Sequence, residues 1–311
     1  MNVYAPDYYK KFKCIADKCK HNCCIGWEID IDSHTLSYYK TLKDNFGRRL
    51  NSSINDNCSQ PYFVLTEDDR CPMLNSRNLC DVISNIGEKH LCQICADHPR
   101  FRNFFESRTE IGLGMCCEVA SELILFKPTV AELVLIESSN EGIDESVDID
   151  FLDKRAECFK IVQDRSMRLE DRVERLLKEF SVVLPKRSMF SWSRALLSLE
   201  LLNDDWSILV REYLNDIKHH HNVAQEQFEI PFEQLLVYLL YRHTADNPDA
   251  IEAGIAFSVW GYRIIRTICE NLQYKFGPVT PDVLVEICRL FSAEIEYSKN
   301  NLDDVYGFLN F

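Results

Sequence analysis

The chain of 311 residues contains no run of about 18 uninterrupted apolar residues, so no segment is expected to span a membrane. Its opening stretch, MNVYAPDYYKKFKC, lacks the apolar core and cleavage site of a secretory leader, which points to a cytoplasmic protein with reduced thiols. Phosphate-binding loops are missing too: there is no G-x-x-x-x-G-K-[ST] and no G-x-G-x-x-G. The fragment GLGM at Gly112–Met115 runs into cysteines instead of a third glycine. Neither G-x-S-x-G nor H-E-x-x-H occurs. The spacing C-x3-C-x2-C fails because Gly26 stands where the third cysteine would follow Cys19 and Cys23. These absences remove the familiar nucleotide, serine-hydrolase and zinc-protease readings.

What the chain has is cysteine. Eleven of its fourteen lie before residue 118, and four of them, Cys14, Cys19, Cys23 and Cys24, fall within CIADKCKHNCC. Crowded unpaired thiols oxidise and scramble unless something holds them. Neighbours such as Cys23 and Cys24 bridge each other poorly, so a metal or cluster fits this spacing better than disulfides. Further thiols follow at Cys71 and Cys80, then Cys92 and Cys95 as C-x2-C, then Cys116 and Cys117, with Cys58 a stray. The C-x2-C pair can reach one ion. His98, three residues on, is either a further ligand or an ordinary hydrogen-bonded histidine. Arg100 either orients a carboxylate or phosphate or sits in a surface ion pair. Cys158, Cys269 and Cys288 occupy apolar helical contexts and are expected to be plain core residues.

The charge is uneven. Of the net −14, residues 1–130 carry 16 basic and 17 acidic side chains, and residues 131–311 carry 19 and 32. An acidic half repels a phosphate backbone, so nucleic acid is not expected as a partner. It would attract a lysine-bearing partner, or it is simply a solvated surface that aids solubility.

The expected fold is mainly α, in two domains. Residues 1–137 form a cysteine-rich metal-binding domain with a few short strands, 138–150 an acidic linker, and 151–311 an all-α domain. In the first part, WEIDID alternates Trp27, Ile29 and Ile31 as a half-buried strand. Ser33 or Thr35 is expected to cap a helix that runs through Leu36, Tyr39 and Leu42 to about Phe46 and stops at Gly47. A second strand is expected at Tyr62–Leu65. NSRNLCDV reads as a turn carrying Cys80 into a helix, and Cys116 and Cys117 precede another. Tyr8, Tyr9, Phe12 and Trp27 are expected to pack around the thiols and keep them dry. In the second part, helices are expected over 165–180, 190–202, 204–221, 231–244, 249–275 and 281–299, punctuated by prolines. The triple histidine 219–221 is read as a helix C-terminal feature, since consecutive residues diverge on a helix.

The strings YYKKFKCIADKCKHNCCIGWEIDID, RCPML with LCDV, LCQICADHPRF and EIEYSKNNLDDVY resemble the flagellin lysine-N-methylases. The N-terminal half also resembles the broader zinc- or iron-chelating domains built on a C-x(n)-C-x(n)-CC core. The resemblance implies methyl transfer from S-adenosylmethionine to lysine ε-amines of flagellin. It implies recurring thiols at Cys14, Cys19, Cys23, Cys24, Cys71, Cys80, Cys95 and Cys117, holding a [4Fe–4S] cluster or, alternatively, zinc, with Cys92 and Cys116 as local additions. Displacement at a sulfonium methyl needs a neutral, aligned amine, which aromatic, tyrosine and carboxylate groups can provide. Tyr238, Tyr241 and Arg242 at i, i+3 and i+4 offer such groups, with Tyr262, Glu294, Glu296 and Tyr297; the plain alternative is that the tyrosines are core residues. Tyr241, Arg242 and Tyr297 are the expected catalytic residues, and Trp27 and Arg100 the expected cofactor contacts, in a cleft where the halves meet. Two other classes stay open: a non-enzymatic chelating module and an iron–sulfur redox protein. The oligomeric state is not legible.

Overall fold

The computed structural model describes residues 1–138, 148–215, 228–245 and 250–311. The triple histidine 219–221 and most of the expected acidic linker lie outside them. The architecture is mainly α with a few short strands, and it divides into two compact units. One consists of residues 13–101; the other combines residues 1–12 with 102–311. The expected division at 138–150 therefore differs from the observed one, because both the N-terminus and residues 102–137 join the helical part.

The reason is a sheet that local pattern does not announce. Strand β1 (Asn2–Pro6) lies between two partners far away in sequence. It runs parallel to Arg108–Leu113, pairing Asn2 with Arg108, and antiparallel to Leu133–Glu137, pairing Pro6 with Leu133. The fourth strand, Arg100–Phe104, lies on the far side of Arg108–Leu113. The larger unit is thus not all-α.

In the smaller unit the alternation of WEIDID is realised as a two-residue strand, Ile29–Asp30, with Ile29 and Ile31 buried. It pairs with Tyr62–Phe63, which pairs in turn with Ile54–Asn55. The helix that follows, Ser33–Thr41, is capped by Asp32, whose carboxylate accepts from the Thr35 N–H. It stops at Leu42, and a second helix, Asn45–Ser52, begins under an Asp44 cap. Gly47 does not end the first helix; it lies inside the second. A Cβ there would stand 2.4 Å from the Leu42 Cβ, so glycine is what lets the second helix close onto the end of the first.

The helices of the larger unit fall largely where proline and hydrophobic spacing place them. They span Ile149–Val162, Leu169–Glu179, Met189–Leu196, Asp204–Tyr213, Glu229–His243, Ile251–Phe276, Pro281–Phe291 and Lys299–Leu309. Pro281 opens its helix behind a Thr280 cap, while Pro231 is tolerated in the first turn of Glu229–His243. Helix Glu229–His243 packs along Ile251–Phe276. The two close tightly at Gly254, where a Cβ would lie 2.4 Å from the His243 carbonyl oxygen. The expected single helix over 281–299 is broken: Ser292–Glu296 forms a turn of π-helix, and Ser298 caps a new helix. Such turns often mark functional positions.

Candidate active site

The π-turn delivers Glu296 into the interior of the larger unit. Its carboxylate accepts from the Tyr238 hydroxyl at 2.9 Å and meets His243 Nε2 at 2.8 Å and Arg242 Nε at 3.5 Å. Arg242 also donates to the Tyr238 hydroxyl and to the Glu296 carbonyl oxygen, both at 3.1 Å. The backbone N–H of Met115 donates to the same hydroxyl at 3.2 Å. Burial would raise the Glu296 pKa, but the Arg242 charge and the His243 hydrogen bond bring it down to about 2. Glu296 is therefore a fixed anion, not a proton acceptor near neutral pH. Burial, then the neighbouring Glu296 charge, keeps the Tyr238 phenol protonated.

Tyr297 forms the accessible edge of this cluster. It is 39% exposed, and the Arg242 guanidinium lies 4.6 Å from its ring centroid, a cation–π distance. Its phenol meets the Cys116 thiol, and burial pushes that thiol up to about 12. Cys116 thus takes a place in this cluster that its spacing did not suggest.

Of the expected catalytic residues, the structure brings Arg242 and Tyr297 together and leaves Tyr241 apart. Residues 241 and 242 are about 100° apart around a helix. Tyr241 turns instead to donate to the Ile111 carbonyl at 3.3 Å, with Arg155 4.9 Å above its ring. Arg155 itself bonds fully buried Glu110 at 2.7 Å, a structural ion pair. Tyr262 pairs with Glu170, and Glu294 accepts from the Leu202 N–H, so neither enters the cluster. His243 was not singled out from sequence; its position directly after Arg242 carries no signal until Glu296 is seen beside it.

The smaller unit holds the thiols. Cys24, Cys71, Cys80, Cys92 and Cys95 pack around one apolar cluster with Ile29, Tyr39 and Met73. Cys23 lies against Cys24. Cys14 and Cys19 are turned to local partners: the Cys14 sulfur accepts from the Ala16 N–H and the Cys19 thiol meets the His21 carbonyl. Cys117 belongs to the other unit, where it directly precedes helix Glu118–Leu125 without a side-chain capping bond. Among the described residues, no three Cys, His, Asp or Glu already stand in an arrangement that would hold an ion. Trp27 donates from its indole to the Cys23 carbonyl, and its ring lies 5.8 Å from His98. Burial and the Arg100 charge lower the His98 pKa to about 4, and Arg100 donates to the Ala96 carbonyl at 3.2 Å.

The π-turn thus gathers a carboxylate, an arginine and two tyrosines in the larger unit, within a stretch that is similar to known proteins. Residues 178–311, which hold Tyr238, Arg242, His243, Glu296 and Tyr297, match the model of the FliB lysine N-methylase C-terminal domain. The chain is similar to the lysine-N-methylase of Salmonella typhimurium, 24% identical over 147 residues, covering 43% of this chain and 35% of that protein. It is likewise similar to the lysine-N-methylase of Salmonella choleraesuis, with the same identity and coverage. The flagellar biosynthetic protein FliU of Salmonella muenchen is 26% identical over 147 residues, covering 43% of this chain and 82% of FliU. The match thus spans about a third of the length of the two lysine-N-methylases. No solved structure matches.

Proposed function

We propose that the protein is a protein-lysine N-methyltransferase that moves methyl groups from S-adenosylmethionine to lysine ε-amines of flagellin. The observation that carries the reading is the FliB-type match over the very residues that build the Arg242–Glu296–Tyr297 cluster. The chemistry agrees. A lysine must lose its proton before it attacks a sulfonium methyl, and a neighbouring positive charge disfavours the ammonium form. Arg242, locked by Glu296, is such a charge, and the Tyr297 oxygen can accept a hydrogen bond from the amine and align it. The acidic balance of residues 131–311 favours approach of a lysine-bearing surface.

A subset of the thiols within residues 14–117 would hold a metal centre, a [4Fe–4S] cluster or alternatively zinc, since both take thiolate ligands. The donor set of the smaller unit fits in kind, being five thiols around one apolar cluster. When bound, such a centre would tie loops together, and displacement at a sulfonium methyl asks no electrons of it. The test is incubation of the purified chain with flagellin and S-adenosylmethionine, followed by peptide mass mapping. Methyl-lysine that depends on both protein and cofactor is expected; none above a protein-free control overturns the reading.

A further inference from the structure

Cys92 stands outside the thiol set that the family resemblance implies, yet the fold seats it among those thiols. Two isolated bridges set the frame, Ile25 opposite Arg70 and Leu74 opposite Cys80. The first lays Cys24 beside Cys71, whose N–H donates to the Cys24 carbonyl at 2.8 Å. The second folds Cys80 back onto the same stretch, with the Asp81 N–H donating to Met73 at 2.7 Å. Cys92 enters from a third direction. The Tyr39 hydroxyl donates to the His90 carbonyl at 2.7 Å, and Asp32 accepts from the Gln93 N–H at 2.9 Å, fixing the backbone on both sides of Cys92. Cys92 and Cys71 are 1% and 6% exposed.

One turn on, the Cys95 sulfur lies 3.3 Å from that of Cys92. Zinc–sulfur bonds of about 2.3 Å at tetrahedral angles place thiolates about 3.8 Å apart, so the pair need open by only about half an ångström.

We propose that the metal centre is complete within residues 13–101, drawn from Cys24, Cys71, Cys80, Cys92 and Cys95 with Cys92 a ligand, and that Cys14, Cys19 and Cys117 are not ligands. This rests on the metal-centre reading above and not on methyl transfer. The full chain is reconstituted anaerobically with ferrous iron and sulfide, or with zinc alone, then passed through a chelating column. The wild type should keep metal and melt at a higher temperature than its metal-free form, since binding to the native state stabilises it. Cys92→Ala should lose both the metal and the rise in melting temperature, while Cys14→Ser, Cys19→Ser and Cys117→Ser keep both. Wild-type metal content in Cys92→Ala, or metal loss in Cys14→Ser, Cys19→Ser or Cys117→Ser, overturns the assignment.

Differential alkylation of the wild-type chain in mild urea covers the case in which Cys92→Ala does not fold. Metal should protect Cys92 and Cys95 together, and equal labelling with and without metal counts against the proposal. A wild type that binds no metal would sink the metal-centre reading and this inference with it, leaving methyl transfer to be judged by the lysine assay.

Discussion

Replacing Glu296 by glutamine keeps the side chain's shape and removes its charge, leaving Arg242 buried without its anion. The size of the effect follows from the carboxylate's depressed pKa. Its value falls from 4.5 to about 2 on folding, a difference that corresponds to about 3 kcal/mol. Because the folded value is depressed, this stability is fully present above pH 4.5 and is lost as pH falls toward 2. Loss of one partner from a buried ion pair costs a similar ~3–5 kcal/mol. The assay is urea unfolding of wild type and Glu296→Gln across a pH series. At pH 7 the variant should be less stable by about 3 kcal/mol, and the gap should close between pH 4.5 and 2. A gap that is absent at pH 7, or constant down to pH 2, refutes the assignment of Glu296 as a buried anion.

Other positions give independent checks. Gly47→Ala forces a Cβ onto Leu42 and should lower stability by ~1–3 kcal/mol, read from chemical denaturation. Asp32→Ala removes a helix cap and the anchor of Gln93 together; ~1–2 kcal/mol is expected, with increased hydrogen exchange at Thr35 and Gln93. Arg155→Met removes one of the two arginines that pair with buried Glu110, leaving Arg108, and should cost ~1.5–3 kcal/mol, read from chemical denaturation; a neutral result would mean that Arg108 alone satisfies the carboxylate. Cys158→Ala should leave metal content unchanged, since that thiol is fully buried within helix Ile149–Val162 of the larger unit.

Much of the fold could be read locally. Alternation at Ile29 and Ile31, the turn leading Cys80 into Asp81–Ile86, and the prolines bounding the later helices all carry their own signal. Three features could not be read this way, because each depends on a partner distant in sequence. Asn2–Pro6 becomes a strand only between Arg108–Leu113 and Leu133–Glu137. Gly47 reads as a stop until Leu42 is found against it. The i, i+3, i+4 pattern grouped Tyr241 with Arg242, yet only Arg242 reaches Glu296, because the π-turn decides which helix face meets the carboxylate. The thiols show the same division: spacing marked the clusters, while the loop bridges decide which of them share one core.

The central claim, that the Arg242–Tyr297 edge serves lysine methylation, is tested most directly by single-turnover methyl transfer with Tyr297→Phe. That substitution removes the oxygen that meets Cys116 and keeps the ring on which Arg242 stacks, so the fold should be retained at a cost of about 1 kcal/mol. A positioned proton-handling group contributes roughly 10²–10⁴ to a rate. The account predicts a fall of at least ~100-fold in methyl transfer to flagellin lysine, with a cooperative melting transition retained. Wild-type turnover by a stably folded Tyr297→Phe would contradict it.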